Sequence, residues 1–418
     1  MAVISAPISP ISSSYTQSRG GARNFDWVML ALVALLSIWG CFTVASAIRP
    51  AESASPTRSA ARSAAVKDNG GSAVAGAAAV SPGRMSDVTK QVIWILVGLA
   101  ALAALALSDY QWLMHLQGWL YALNLLLLVL VLKLPTSIAP EINGAKSWIK
   151  LGPFALQPAE FSKVALIVAL AAFLCRRQAR RREFSTLLWS LLYLALPLLL
   201  ILKQNDFGTM LAVLSIWFGM MFFGGARWWH LGLVVLIGAT LFGAAWHTDK
   251  LKPHQKARLA VFLDPNPSSA DARREAYQIT QSQIAIGGGG VTGQGWGKGM
   301  QNRAGYVPEK TTDFIFAVVA EELGFVGAAT LLVAYLVLLS RSAMVALSTD
   351  NYFGALIAGG FTFLLAFHTI VNLGMTMRLM PITGVPLPFF SYGGSSYLAF
   401  SLCVGLLQSI SLRRKRIG

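Results

Sequence analysis

Long apolar segments alternate with shorter polar ones along most of this chain. A transmembrane helix needs about 20 consecutive, mostly apolar residues, and ten segments come close to that length. They are 27–48, 91–108, 118–134, 160–175, 185–202, 208–224, 228–246, 313–340, 353–377 and 395–412. The segments are continuous in Leu, Ala and Val, which is typical of helices, whereas barrel strands are shorter and alternate. The pattern therefore predicts an all-α polytopic membrane protein, a bundle of about ten transmembrane helices.

Arginine-rich segments orient this bundle. RRQARRRE at 176–183 follows the fourth apolar segment, RRKR at 413–416 follows the last, and Arg19 and Arg23 precede the first. Lys and Arg accumulate in cytoplasmic loops, and an even number of spans places all three groups on one side. Both termini are then cytoplasmic. A cleavage-like Ala-Ser-Ala at 45–47 follows an apolar run longer than that of a signal peptide, so we expect the first segment to be retained.

Polar segments complete the predicted organisation around a membrane domain at 27–412. Residues 1–26 are predicted to be a disordered cytoplasmic tail, and residues 413–418 a basic one. Residues 49–90 are rich in Ala, Ser and Gly without an apolar period, which predicts a flexible extracytoplasmic linker. Residues 247–312 are predicted to form a large extracytoplasmic loop between spans seven and eight, with nine Lys and Arg against five Asp and Glu. Long loops inside compact proteins are commonly functional.

Composition limits the classes of function. Charged residues make up 12% of the 418 residues, about half the average share, and the formal net charge is +16. A nucleic-acid-binding protein would be rich in charge overall, so we expect no nucleic-acid partner. Cys41, Cys175 and Cys403 are widely spaced and predict neither a disulfide framework nor a zinc site. The chain has no G-x-x-x-x-G-K-[ST] motif for ATP, so its energy source is expected to be its substrate or the membrane gradient.

The densest group of chemically capable residues lies at 308–324, PEKTTDFIFAVVAEELG. Thr311 or Thr312 is expected to cap the next helix, which puts Asp313 in its first turn at the outer membrane surface. Glu309 shares the face of Asp313 if the helix begins early. A simple helix-dipole residue is the alternative interpretation of Asp313.

Two further acids follow in the same apolar segment. Glu321 lies about 12 Å from Asp313 along a helix axis, too far to form a carboxylate pair. An acidic side chain within a membrane costs free energy and is usually paired with another group. We therefore expect Glu321 and Glu322 to be structural partners of cations in the bundle.

Other polar residues recur at the predicted membrane level. Glu160 and Lys163 share one helix face, where they make either a local ion pair or an outward-facing cation for an anionic ligand. Asp206 precedes the sixth span on the outer side. His368 is predicted to be a hydrogen-bonded packing residue.

A tryptophan and two lysines lie together at 143–153, NGAKSWIKLGP. The segment is suited to binding a sugar or a diphosphate on the outer side, through Lys146, Trp148 and Lys150. Ser147 and Lys150 match S-x-x-K, but the S-D-N and K-T-G companions are absent, which argues against acyl-serine chemistry.

Five segments in order resemble the SEDS family, the RodA/FtsW-type membrane glycosyltransferases that polymerise bacterial cell-wall glycan. They are NGAKSWIKLGPFALQPAEFSK (143–163), KQNDFGT (203–209), LKPHQKARL (251–259), PEKTTDFIFAVVAEELG (308–324) and PITGVPLPFFSYGGSS (381–396). The resemblance runs from about residue 27 to residue 412. The G-V-P-L-P turn at 384–388 is more similar to the RodA elongation branch than to the division branch. The long linker at 49–90 and His254, where relatives have an aromatic residue, depart from the family pattern.

The resemblance implies an enzyme of the bacterial cytoplasmic (inner) membrane that polymerises lipid II, a disaccharide-pentapeptide on undecaprenyl diphosphate. It implies that Asp313 is essential. It also implies a class B penicillin-binding protein as partner, together with other elongasome or divisome membrane proteins.

The predicted site follows from these residues. Asp313 is expected to act as a general base or to bind a divalent cation, Mg²⁺ or Mn²⁺, that neutralises the diphosphate; no nucleotide or organic cofactor is expected. Glu309 is expected to tune or position Asp313. The candidate substrate-binding residues are Lys163, Glu160, Arg258, Trp148, Lys146, Asp206 and Ser391.

Two alternatives from other classes remain. A flippase for lipid-linked precursors would suit ten spans and intramembrane acids, although no inverted repeat of interrupted helices is evident. A purely structural scaffold for wall synthesis would not need Asp313.

Overall fold

Helices make up nearly all the regular structure of this protein. The computed structural model describes residues 24–49, 87–141, 144–247, 261–262 and 269–413. Several sequence-based predictions lie outside these residues: the tail up to residue 23, the linker at 50–86, Arg258 and His254 in the large loop, and the basic end at 414–418.

Ten helices coincide with the ten predicted spans. They are α1 (Trp27–Ile48), α2 (Asp87–Leu107), α3 (Leu113–Lys133), α4 (Pro158–Arg176), α5 (Phe184–Lys203), α6 (Phe207–Phe223), α7 (Trp228–His247), α10 (Ile315–Leu347), α11 (Tyr352–Thr376) and α12 (Gly394–Leu412). Within the described residues, eight are long and apolar enough to cross a membrane, and Phe207–Phe223 and Trp228–Thr240 are shorter apolar helices. The prediction of a polytopic helical membrane protein is confirmed.

Polar and small residues distinguish the inner helices from the outer ones. α4, α11 and α12 are largely buried, whereas few residues of α2 and α3 are fully buried. In α11, Gly359 and Gly360 let the helix approach α6 so closely that a Cβ atom would lie 2.5 Å from the Phe223 ring and 2.8 Å from the Met220 side chain. Close backbone approach of this kind is how helices associate in lipid, where apolar burial gives little preference.

Part of the large loop predicted at 247–312 is helical. It contains α8 (Ala270–Gly288) and α9 (Met300–Ala304). Ser269 caps α8 by accepting the N–H of Ala272 at 3.3 Å, as N-terminal serines do. Apolar side chains from α8 form a small second core with Val307, Phe314 and Ile382. One face of α8 is polar, so this helix does not form a continuous apolar run and the apolar pattern does not predict it.

A short β-hairpin precedes α4 on the outer side. β1 (Ile149–Leu151) pairs antiparallel with β2 (Phe154–Leu156), and Gly152 between them has φ +63°. α4 then begins at Pro158, the first-turn position that proline favours.

Helix α10 is interrupted at Gly324, which has φ 66° and ψ −163°. The break frees carbonyls and N–H groups that lipid cannot satisfy. The glycine-rich stretch at 289–295 satisfies them: Gln294 N–H donates to Glu321 O at 3.0 Å and Gly295 N–H to Glu322 O at 2.9 Å, while Phe325 N–H donates to Gly290 O at 2.9 Å. Only glycines allow this contact, since a Cβ atom on Gly324 would lie 2.3 Å from Gly293 N. The interruption was not anticipated from the sequence.

Candidate functional site

Asp313 lies in a turn just before α10 and not in its first helical turn. Glu309 has φ +48°, and its single carbonyl accepts the N–H groups of Thr312, Asp313 and Phe314 at 3.2, 3.1 and 3.2 Å. The positive φ folds the chain into this turn and prevents the helix from beginning early. The predicted threonine cap is therefore wrong: the N-cap residue is Phe314, which makes no side-chain cap, and the Thr312 hydroxyl donates back to Glu309 O at 3.3 Å, a local bond typical of threonine.

Three other groups hold this turn from outside. The carbonyls of residues 311–313 each accept a hydrogen bond: Tyr392 N–H donates to the first at 2.8 Å, Ser391 Oγ to the second at 2.6 Å, and Asn372 Nδ2 to the third at 3.0 Å. Asn372 belongs to α11, and Ser391 and Tyr392 belong to the segment that links α11 to α12. Two regions of the chain therefore fix the backbone of Asp313.

The immediate surroundings of the Asp313 carboxylate combine partial exposure with a neighbouring glycine. The residue is half-buried, and Glu309 is exposed. Gly384 has φ +69°, and a Cβ atom there would lie 3.5 Å from Asp313 Oδ2. Within the described residues, no three His, Cys, Asp or Glu side chains lie together as a metal site would need. A divalent cation at Asp313 would therefore draw further ligands from substrate or water, which Mg²⁺ accepts readily.

Glu160 and Lys163 form a buried ion pair. Lys163 Nζ lies 2.7 Å from Glu160 Oε2, with the two side chains 1% and 5% exposed. Lys163 Nζ also lies 3.1 Å from His368 Nε2, and His368 Nδ1 lies 3.0 Å from Pro386 O. Because an ammonium group only donates, Nε2 is the acceptor and Nδ1 carries the proton. His368 is a hydrogen-bonded packing residue, as predicted, and the local ion pair is the arrangement that the structure adopts.

Two other predicted binding residues, Lys146 and Asp206, make hydrogen bonds that serve the fold. Lys146 Nζ donates to the carbonyls of Leu132 and Leu134 at 3.2 and 2.6 Å, at the end of α3. Asp206 caps α6 by accepting the Thr209 N–H at 3.0 Å. Trp148 is half-buried just before β1, and Lys150 is exposed. Binding of substrate by Lys146, Trp148, Asp206, Ser391, Glu160 and Lys163 stays a prediction, as does the role of Arg258.

Glu321 and Glu322 are buried, 0% and 2% exposed, but their hydrogen-bond donors are not the bundle cations that we predicted. Glu321 accepts two backbone N–H groups, from Gln301 at 2.6 Å and Asn302 at 3.1 Å. Glu322 Oε1 accepts Ser46 Oγ at 2.6 Å and Asn302 Nδ2 at 3.0 Å. Lys310, in the Asp313 turn, supplies a nearby positive charge. These partners come from the loop and from α1, so the spacing of residues in one helix could not reveal them.

The sequence matches a known family over most of its length. The family model for cell-cycle proteins of the FtsW, RodA and SpoVE type matches residues 72–416. A probable peptidoglycan glycosyltransferase FtsW of Nitrosococcus halophilus is 35% identical over 330 residues, which cover 76% of this chain and 82% of that protein. The peptidoglycan glycosyltransferase MrdB of Escherichia coli is 34% identical over 339 residues, 80% of this chain and 88% of that protein.

Solved structures show the same architecture. A chain from a peptidoglycan synthase complex with coordinated polymerisation and crosslinking superimposes with a TM-score of 0.71 at 32% identity, covering 93% of this chain and 97% of that chain. The rod-shape-determining protein RodA of Thermus thermophilus has a TM-score of 0.62 at 30% identity, with 94% and 98% coverage. The chain belongs to the FtsW/RodA/SpoVE family, the SEDS family of multi-pass bacterial membrane proteins that its motifs resemble.

Proposed function

We propose that this chain is a peptidoglycan glycosyltransferase that polymerises lipid II at the outer face of the cytoplasmic membrane, in cell elongation or division. Relatives in both branches carry the name peptidoglycan glycosyltransferase. The observation that carries the proposal is the position of Asp313, an acid at the outer end of α10 in a turn braced by Asn372 and Ser391. The prediction that the chain belongs to the elongation branch stays open, since FtsW and MrdB relatives are about equally similar.

The reaction joins two lipid-linked sugars. Asp313 accepts the proton from the 4-hydroxyl of the acceptor sugar, and that oxygen forms the new bond to the anomeric carbon of the donor. The bond from this carbon to the diphosphate oxygen breaks, and undecaprenyl diphosphate leaves with the electron pair. A positioned general base contributes about 10²- to 10⁴-fold to such a step. A braced backbone suits this role, because the carboxylate must meet the hydroxyl in one geometry.

An apolar groove suits the lipid part of the substrate. A cavity of about 370 Å³ lies between α6 and α11, and Leu211, Phe363, Phe367, Ile370 and Thr383 are among the residues that line it. Thr383 precedes Gly384, the residue next to the Asp313 carboxylate. We place a prenyl tail here, with its diphosphate toward Asp313.

The charge of the leaving diphosphate needs a cation. Lys163 is buried against Glu160, and Lys146 donates to two carbonyls at the end of α3. Of the three predicted cations, Arg258 is therefore the one that we assign to the diphosphate. The alternative is a divalent cation held by Asp313, which would supply Lewis-acid stabilisation of the diphosphate.

The test is polymerisation of labelled lipid II by the purified full-length protein in detergent. Asp313→Asn and Asp313→Ala should lower the turnover by about 10²- to 10⁴-fold. Asp87→Asn is the matched control, since Asp87 is an exposed acid in the first turn of α2 on the same side; it should keep full activity. Full activity of both Asp313 variants would disprove the assignment. Parallel reactions with EDTA, Mg²⁺ and Mn²⁺ separate the two roles of Asp313.

The same assay separates the enzyme from the flippase alternative. The interrupted helix α10 is a feature found in transporters, which favours keeping that alternative. Here, however, the freed backbone groups bind the chain's own glycine-rich stretch. Glycan made in detergent, without a membrane gradient, would support the enzyme; absence of glycan would support the flippase.

A class B penicillin-binding protein is the partner that we propose. Support comes from the similarity to a chain of a synthase complex that couples polymerisation with crosslinking. The present chain lacks the acyl-serine motif set, so another protein would have to crosslink its product. Co-purification with such a transpeptidase, and a higher polymerisation rate in its presence, would test this pairing.

A further inference from the structure

The two buried acids of α10 are close in sequence to Asp313 but take no part in the proposed chemistry. Glu321 accepts the N–H groups of the second and third residues of α9, Gln301 and Asn302. These are the amides that an N-cap side chain normally binds. The residue at the cap itself is Gly299, and a Cβ atom there would lie 2.6 Å from Glu321 Oε2. The cap of α9 is thus supplied by a different helix.

Asn302 is the hub of this arrangement. It is 1% exposed, and three of its hydrogen bonds connect α9 to Glu321, Glu322 and Lys310. Its N–H donates to Glu321, and its Nδ2 donates to Glu322 at 3.0 Å. Its carbonyl accepts Lys310 Nζ at 2.6 Å. Lys310 is three residues before Asp313, so the hub is bonded directly to the turn that carries the carboxylate.

The outer end of α1 joins the same network. Ser46 Oγ donates to Glu322 Oε1 at 2.6 Å. Arg49 stacks over the Trp296 ring at 4.1 Å, and Trp296 Nε1 donates to Phe42 O at 3.3 Å. The segment from the glycine-rich stretch to Asp313 is therefore held on one side by α1 and on the other by α10.

We propose that Glu321 and Glu322 are positioning residues for Asp313: through Asn302 and Lys310 they hold the 300–313 segment in the geometry that polymerisation requires. We call this set of four residues the outer clamp. The proposal rests on the proposed function, because it assigns the outer clamp to the Asp313 carboxylate. It explains why two costly acids lie in an apolar helix without touching the reacting atoms.

Glu321→Gln is the sharpest test, because it keeps the shape of the side chain but replaces one of its two acceptor oxygens by an NH₂ group. That NH₂ group would face a backbone N–H of α9, and two donors cannot bond to each other. A misplacement of about 1 Å can cost on the order of 10²-fold in rate, so we expect the kcat for lipid II polymerisation to fall about 10- to 100-fold with KM within about twofold. Hydrogen exchange should rise across 300–313. Lys310→Met removes the bond to the Asn302 carbonyl and the positive charge near the two acids, but leaves the bonds from Glu321 and Glu322 to the segment in place. It should therefore lower the kcat and raise the exchange by less than Glu321→Gln does.

Asp26→Asn is the matched control. Asp26 is also a buried acid that caps a helix, accepting Met29 N–H at 3.0 Å, but it lies at the opposite end of α1 and pairs with Arg341. It should lower the melting temperature, keep the kcat per folded molecule, and leave exchange in 300–313 unchanged.

Three results would overturn the proposal. One is a parental kcat in Glu321→Gln despite faster exchange in 300–313. Another is parental exchange in that segment. The third is a loss of activity that matches the loss of folded protein, as measured for Asp26→Asn. If Glu321→Gln does not fold, unchanged kcat and exchange in Lys310→Met count against the outer clamp. Activity retained in Asp313→Asn would instead refute the proposed function, and exchange would still report whether the outer clamp holds the segment.

Discussion

Two pairs of buried charged residues in this protein differ in how their carboxylates are compensated. Glu160 is paired with Lys163, three residues later on the same helix, at 2.7 Å. Glu321 instead accepts N–H groups from residues about 20 positions upstream, and Glu322 accepts the hydroxyl of Ser46, 276 positions away. A carboxylate in lipid needs compensation in both places. The first solution is local and can be inferred from spacing, whereas the second depends on tertiary structure.

The largest effect that we expect concerns the local pair. Lys163→Met leaves Glu160 buried without its cation, which typically costs about 3–5 kcal/mol. Chemical denaturation in detergent measures this free energy. Lys90→Met is the control, since Lys90 and Asp87 have the same i, i+3 spacing at 2.9 Å but keep 18% and 52% of their side chains exposed, and pairs open to solvent contribute less than about 1 kcal/mol. Equal losses in the two variants would contradict the distinction.

The double variant Glu160→Gln/Lys163→Met sharpens this comparison. Removing both charges should recover most of the lost stability, because no uncompensated ion remains. If polymerisation returns with stability, the pair is structural. If stability returns while polymerisation does not, the prediction that Lys163 binds substrate gains support.

An intermediate effect is expected at the break in α10. Gly324 occupies a backbone region that is essentially restricted to glycine, and a Cβ atom would press on Gly293 N. Gly324→Ala should therefore destabilise the protein by at least about 2 kcal/mol. In Gly118→Ala the new Cβ meets nothing within 4 Å in α3, so helix propensity should dominate and stability should rise by up to about 1 kcal/mol. Thermal unfolding in detergent compares them, and a harmless Gly324→Ala would show that the break is not required.

The contrast between the two pairs also explains what the sequence could predict. All ten spans were recovered, nine of them within about five residues at each end, because a helix that crosses lipid needs a long apolar run. α10 begins at residue 315 and extends to residue 347, beyond the predicted 313–340. The Glu160–Lys163 pair was one of two alternatives, since both partners lie on one helix face. Neither inference needs knowledge of how distant segments meet.

Where distant segments meet, prediction from spacing failed. The positive φ of Glu309 turns the chain before α10, and no pattern of residue types announces that turn. The glycine-rich stretch at 289–295 is plain in the sequence, but its partner is a break in a helix that otherwise looks continuous. Ser391 was assigned to the site by resemblance to the family, and in the structure its hydroxyl donates a hydrogen bond to Thr312 O.

The smallest effect that we expect links Lys310 to pH. Burial lowers the pKa of Lys310 below its ordinary value of 10.5, and the charges of Glu321 and Glu322 partly oppose this. Between the lowered pKa and 10.5, the unfolded state binds more protons than the folded state, so the contribution of Lys310 to stability rises with pH across that window. The free energy of unfolding of the parent should therefore rise relative to that of Lys310→Met as the pH increases from the lowered pKa of Lys310 to its ordinary value of 10.5. Glu322→Gln removes one of the negative charges that raise the pKa of Lys310. It should therefore lower this pKa further, and the rise in stability should begin at a lower pH. A parent that instead loses stability relative to Lys310→Met across this range would show that the lysine is not desolvated beside the two acids, and the local and tertiary solutions would then differ less than the structure indicates.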